Sequence, residues 1–202
     1  KTDPCIYIDK DTWNDSMNKL DIENDNQLYY ISKPIEPKYF FVKTIDNFLN
    51  QEECQKYIKI AEESEYKNRC TDEIGVFSES IKNFQDAEEI FKKVPKHIKE
   101  IMKDQPIRLH DTVILTKTPK GKSFRNHIDT PQFISENTKE RSKYRLLVYL
   151  NNCEGGTTKF LSNSIEPKIG RAVIFEIDNN PHSAETVLSD YKYTLTSDIV
   201  CM

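Results

Sequence analysis

Glycine is scarce. Five occur in 202 residues (Gly75, Gly121, Gly155, Gly156, Gly170), too few and too scattered to build a G-x-G-x-x-G turn or a P-loop, which excludes nucleotide enzymes of those two kinds. The five cysteines (Cys5, Cys54, Cys70, Cys153, Cys201) are odd in number and include no C-x-x-C pair, so neither a disulfide framework nor a cysteine zinc site is expected. They read as reduced, mostly structural thiols of an intracellular, cytoplasmic protein. Long apolar runs are missing too: stretches such as Leu146 to Leu150 and Ala172 to Phe175 fall far short of the roughly 20 residues that cross a bilayer, and no membrane partner is expected. An excess of positive charge is also absent. With 29 Lys and Arg against 33 Asp and Glu, the net charge of -4 leaves no footprint for a nucleic-acid backbone, and no nucleic-acid partner is expected.

What is present is enough aromatic and β-branched bulk, including 10 Tyr and 10 Phe, for one globular domain. Residues 1–35 are acidic and Asn-rich and read as an N-terminal extension, leaving 36–202 as the domain. Tyr39 to Ile45 is a strand candidate. Asn50 then caps a helix through Ser64, with Glu52 and Glu53 at its positive end and Cys54, Tyr57, Ile58 and Ala61 on one face. A second helical pattern spans Asp86 to Lys103 and should break at Pro95. From Pro106 the period changes to 2. Strands are expected near 107–117, 123–129, 144–151, 156–161, 171–177 and 191–201, with Gly155-Gly156 forming a tight hairpin, and this spacing signals a sandwich or barrel.

Four histidines limit the chemistry. His97 and His110 read as surface or satisfied core residues. His127 differs, because Asp129 follows at i+2 in a strand pattern and both side chains then leave one face. His182, beyond two further strands, can return to the same barrel mouth and complete a set of two histidines and one carboxylate. Such a set leaves one face of an octahedral metal open, as a non-haem Fe(II) needs in order to take an organic acid and O₂ together. Zinc hydrolysis competes with it. Lys192 and Thr194 share a strand face and can grip a carboxylate deep in the barrel, which a zinc hydrolase does not require.

The ordered strings His127-Ile128-Asp129, Tyr144 to Asn151, Glu154 to Phe160, Glu166 to Phe175, His182 and Lys192-Tyr193-Thr194-Leu195, together with the upstream Ile45 to Cys54, resemble the Fe(II)- and 2-oxoglutarate-dependent dioxygenases of the prolyl-4-hydroxylase-like group. The likeness covers residues 40–202. It implies a mainly β fold with flanking helices, a double-stranded β-helix (jelly-roll) core packed on N-terminal helices. His127, Asp129 and His182 become the expected iron ligands, Lys192 the partner of the far carboxylate of 2-oxoglutarate, Thr194 a second donor to it, and Tyr149 a further candidate beside it. The implied cofactors are Fe(II), 2-oxoglutarate and O₂, with ascorbate as a candidate reductant.

The implied reaction is hydroxylation of an unactivated C–H bond, foremost of a peptidyl proline, with release of succinate and CO₂. The same chemistry on a small molecule or a nucleobase, and a catalytically silent protein-binding barrel, are the alternatives. Two departures from the family pattern stand out. Lys117-Thr118-Pro119-Lys120-Gly121 lacks the aromatic that many relatives place before this turn, and Thr196-Ser197-Asp198 replaces a basic residue common in close relatives. The polar stretch Thr130 to Lys143 reads as a solvated loop or a lid beside the metal, and Arg125 and Asn126 as candidate substrate contacts.

Overall fold

The period-2 runs of the C-terminal half pair into two antiparallel sheets. The computed structural model describes residues 41–63, 77–81, 85–135, 137–161, 163–178 and 180–202. The N-terminal extension read over 1–35, and Tyr39 and Phe40 of the first strand candidate, lie outside them.

The elements in chain order are β1 (Val42–Ile45), α1 (Gln51–Glu63), β2 (Phe77–Ile81), α2 (Ala87–Lys93), α3 (Lys96–Glu100), β3 (Pro106–Leu109), β4 (Val113–Pro119), β5 (Phe124–His127), β6 (Arg141–Tyr149), β7 (Thr158–Phe160), β8 (Ser164–Ile165), β9 (Ala172–Glu176), β10 (His182–Ala184) and β11 (Tyr191–Cys201). The larger sheet runs β1-β9-β6-β11-β4-β2, with β3 also on β11, and the smaller runs β5-β10-β7-β8. This is the jelly-roll core with flanking helices that the sequence led us to expect.

Alternation along each strand decides which side chains meet which layer. On β11, Leu195, Ile199 and Cys201 join β6 residues Leu146 and Val148 in a core that takes in the helices through Cys54, Tyr57, Ala61, Ile90, Val94 and Ile98. The opposite faces of the sheets enclose a second, smaller cluster of Tyr149, Val173 and Phe175 against Phe160 and Ile165. Polar residues of β11 point into this second space, and the chemistry is found there.

Helix α1 starts as its residues dictate. Asn50 Oδ1 accepts from the Glu53 N–H at 2.9 Å, and Glu53 Oε2 accepts from the Asn50 N–H at 2.8 Å, a reciprocal box that stabilises the first turn by about 1 kcal/mol. Pro95 does break the second helical pattern, leaving α2 and α3, and its carbonyl accepts from the N–H groups of Ile98 and Lys99.

Three expectations are corrected. The strand expected over 107–117 is two strands, because the His110 N–H donates to the Asp198 carbonyl, the Thr112 N–H donates to His110 Nδ1, and Ser197 Oγ bonds the carbonyls of His110 and Thr112, which together hold a turn there. β6 begins at Arg141, so Arg141 and Lys143 belong to a strand and not to the preceding loop. Gly155-Gly156 does not close a hairpin: β6 and β7 lie in different sheets, and the glycine pair bonds instead to the 186–188 segment through Gly155↔Val187 bridging and a Gly156 N–H to Thr186 O bond of 3.0 Å. Both glycines do adopt the positive φ expected of them, 70° and 62°.

Gly170 ties the two layers. Its carbonyl accepts from the Phe48 and Leu49 N–H groups, and at φ +74° a Cβ would lie 2.0 Å from the Leu49 carbonyl oxygen. Neither backbone can yield without breaking these bonds. Gly170→Ala is therefore expected to destabilise the protein by at least about 2 kcal/mol, read as a lower urea midpoint with an unchanged slope.

Candidate metal centre

His127 closes β5 and His182 opens β10, and antiparallel pairing sets them directly opposite each other. Asp129 lies two residues past His127, just beyond the end of β5, and not in the strand as expected from the sequence. The chain still returns it to the same point. The ligand atoms of His127, Asp129 and His182 all lie within 4.8 Å of one another, with His127 Nε2 at 3.5 Å from Asp129 Oδ1 and His182 Nε2 at 3.7 Å from Asp129 Oδ2.

The surroundings prepare these atoms for a cation. His127 Nδ1 faces the Arg125 carbonyl at 2.8 Å and His182 Nδ1 the Asn180 carbonyl at 3.1 Å, so each Nδ1 carries a proton and each Nε2 is turned toward the centre, where it can ligate once it holds no proton. His182 is fixed by rings, stacked on Phe160 at 5.4 Å and edge-on to Phe175 at 4.8 Å. Burial pushes its pKa down to about 4 against the pull of Asp129, leaving a neutral imidazole. Burial works against charge on His127 as well, but the hydrogen bond to Asp129 outweighs it and raises the pKa. For Asp129, burial alone would favour the protonated form. The hydrogen bond from His127 and the charge of Arg145 overcome it and hold the carboxyl well below the usual carboxylate range. Two imidazoles and one carboxylate, with their remaining atoms bound to protein, fit a ferrous ion with open positions.

Lys192 is the second feature of this space. The residue is 5% exposed, and its ammonium donates to the Gly156 carbonyl at 2.6 Å and lies 5.4 Å from the centre of the Tyr149 ring. Burial lowers its pKa to about 8, the mark of a cation whose surroundings under-compensate it. An anion in reach would restore the balance. Thr194 stands next along the same face and pairs across the sheet with Tyr149, while Thr118 of β4 pairs with Lys192 itself. Tyr149 is fully buried, hydrogen-bonded to Thr158 Oγ1 at 2.6 Å and to the Ile165 carbonyl at 3.3 Å, and burial pushes its pKa up to about 12, so it is a protonated phenol. The six residues singled out from the sequence thus fall into one interior, His127, Asp129 and His182 at its mouth and Lys192, Thr194 and Tyr149 deeper along β11 and β6.

Comparison with known proteins points to the same chemistry. Residues 113–197, which hold all six, match the model of the 2OG-Fe(II) oxygenase superfamily. Over that stretch the chain is similar to the 2OG-Fe(II) oxygenases. The dioxygenase fold is shared with a viral collagen prolyl hydroxylase of Paramecium bursaria Chlorella virus-1 in its 2-oxoglutarate complex, at 21% identity and TM-score 0.58 over 80% of this chain and 97% of that one. A prolyl-4-hydroxylase of Pseudomonas putida aligns at 17% identity and TM-score 0.60, covering 81% of this chain and 94% of its own. A Trichoplax adhaerens prolyl hydroxylase bound to a hypoxia-inducible-factor degradation-domain peptide aligns at 16% and 0.55, covering 78% and 82%. No curated protein sequence matches the chain.

Two residues of the dioxygenase interior escaped the sequence reading. Arg145 Nη1 lies 3.1 Å from Asp129 Oδ2, and Arg145 Nε donates to Asp198 Oδ1 at 2.8 Å. Each is a charge between two buried neighbours, Arg145 between Tyr144 and Leu146 on β6 and Asp198 between Ser197 and Ile199 on β11. The Thr130–Glu140 segment is tied down where it leaves Asp129: Arg145 Nη2 donates to the Thr130 carbonyl, and the Gln132 N–H donates to Asp198 Oδ2. Arg125 and Asn126 are exposed on β5. A groove of about 500 Å³ lined by Thr157, Lys159, Ser164, Glu166, Arg171 and Glu185 holds none of the six residues, and its two cations and two carboxylates balance. Of the other histidines, His110 is occupied with the Thr112 N–H. Among the described residues, no helix is long and apolar enough to cross a membrane.

Proposed function

We propose that the domain hydroxylates a peptidyl proline, with His127, Asp129 and His182 holding Fe(II) and Lys192, Thr194 and Tyr149 holding 2-oxoglutarate. The observation that carries this reading is one interior containing both the three converging ligand atoms and a buried ammonium with a carbonyl as its hydrogen-bond acceptor. The metal, when bound, supplies the oxidative chemistry that couples decarboxylation of 2-oxoglutarate to C–H hydroxylation.

The protein's own groups do the rest. Lys192 provides a fixed positive charge in a space that excludes water, where a carboxylate gains more from it than at the surface. Thr194 offers a hydroxyl donor beside it, and Tyr149, held by Thr158, walls the pocket with a ring that the ammonium faces. Phe160 and Phe175 keep His182 in one orientation and make the floor apolar. A peptide substrate is supported by β5, which among the described residues is an edge strand of the smaller sheet, whose exposed Arg125 and Asn126 directly precede His127 and whose outer side can pair with an extended chain. The Trichoplax adhaerens prolyl hydroxylase, which has this fold, is in complex with a peptide fragment, and this supports a peptide as substrate here.

The test is succinate formation by anaerobically iron-loaded protein, with ascorbate, with and without proline-containing peptides. Peptide-stimulated succinate with one oxygen added to proline is expected. Turnover that no peptide stimulates, but that a nucleobase or small molecule does, would move the substrate to that class. Absence of both iron binding and turnover would leave a binding barrel.

A further inference from the structure

Asp198 is a buried carboxylate on β11, and the structure places Arg145 across from it. The two are register partners on β11 and β6. Asp198 is fully buried, and the Arg145 side chain is 11% exposed. A guanidinium beside an expected metal ligand is an electrostatic problem, since it repels the same dication that Asp129 attracts. We propose that Asp198 and Arg145 act together as the positioning device for Asp129, Arg145 by holding one carboxylate oxygen and Asp198 by cancelling the charge that Arg145 brings. The inference rests on the metal reading above.

Arg145 spends its three nitrogens on three tasks: Nη1 on Asp129 Oδ2 at 3.1 Å, Nη2 on the Thr130 carbonyl at 3.0 Å, and Nε on Asp198 Oδ1 at 2.8 Å. A planar fork with all its edges engaged has one orientation. It therefore fixes both the carboxylate and the backbone directly after it. Asp198 Oδ2 accepts the Gln132 N–H at 2.8 Å, which anchors the same segment one step further on. Oδ2 of Asp129 is engaged by Arg145 and also lies 3.7 Å from His182 Nε2, and the carboxylate so held keeps Oδ1 turned toward His127 Nε2. The charges then matter: Asp129, Arg145 and Asp198 together carry one net negative charge, the same as an Asp129 standing alone, so the ligand set keeps its attraction for a dication while gaining a rigid carboxylate.

The test is cobalt(II) titration of metal-free protein, followed by calorimetry and by the visible d–d bands, with thermal melting of each variant. Asp198→Asn leaves the Arg145 charge uncompensated and is expected to weaken cobalt binding at least about tenfold, the scale of lost support behind metal ligands. Arg145→Met with Asp198→Asn restores one net negative charge and should bind more tightly than Asp198→Asn alone, with shifted d–d bands because Asp129 is no longer held. Arg145→Lys keeps the charge balance but not the fork. It should stay within a few-fold of wild-type affinity with shifted bands, and it tests positioning even if Asp198→Asn does not fold. Wild-type affinity and spectrum in Asp198→Asn, a double variant no tighter than Asp198→Asn at equal melting temperature, or unshifted bands in Arg145→Lys would each overturn the proposal while leaving the metal reading standing. A wild-type protein that binds no cobalt would overturn both.

Discussion

Replacing Lys192 by methionine is expected to raise the 2-oxoglutarate concentration needed for half-maximal turnover about 100-fold or more, because removing one partner of a buried charge pair costs about 2–5 kcal/mol. The same change should stabilise the metal-free, cosubstrate-free protein. Its buried ammonium faces a carbonyl and an aromatic ring and, among the described residues, no carboxylate partner, and methionine of similar length removes that cost. The pH dependence gives the sign. Lys192 has its pKa lowered from 10.5 to about 8 on folding, so between those values the unfolded chain holds more protons than the folded one. Stability contributed through this group is therefore lowest below pH 8 and rises as pH increases toward 10.5, by on the order of 3 kcal/mol at most. Urea unfolding of wild-type and Lys192→Met protein at pH 7 and pH 10 should show the variant more stable at pH 7 and the gap narrowing at pH 10. A gap independent of pH would show that Lys192 keeps its ordinary pKa in the folded state.

His182→Phe should abolish stoichiometric iron binding while leaving the fold in place. Phenylalanine retains the stacking on Phe160 and the edge contact with Phe175 but has no lone pair to offer, which separates ligation from packing better than alanine does. Metal affinity should fall by more than about 100-fold, since even groups that only support metal ligands are worth 10- to 100-fold. Iron content by elemental analysis, alongside the melting temperature, checks it. Full iron occupancy in a folded His182→Phe protein would remove His182 from the ligand set.

Much of this was legible in the chain. Asn50 and Glu53 announce the start of α1, Pro95 the break between α2 and α3, and the period-2 runs from Pro106 the strands of the core, because caps, proline and alternation act over a few residues and need no distant partner. Misreadings arose where distant groups intervene. The turn at His110 to Thr112 is held by Ser197 and Asp198, more than eighty residues later, and Gly155-Gly156 bonds to the 186–188 segment and not across a hairpin. β8 and β10 carry too few residues for a period to show, and their pairing is what makes them strands.

For the site, the sequence by itself determined which residue types were available: two histidines and an aspartate at suggestive positions, and Lys192 and Thr194 on one strand face. Side-chain chemistry and i, i+2 geometry are properties of the local chain. Only the tertiary structure decided that β10 pairs with β5 so that His182 meets His127, that Asp129 reaches them from beyond the strand end, and that Arg145 and Asp198 face each other behind it. These are contacts between strands brought together by register, and register is fixed by how whole sheets bury their apolar faces, which no single segment encodes.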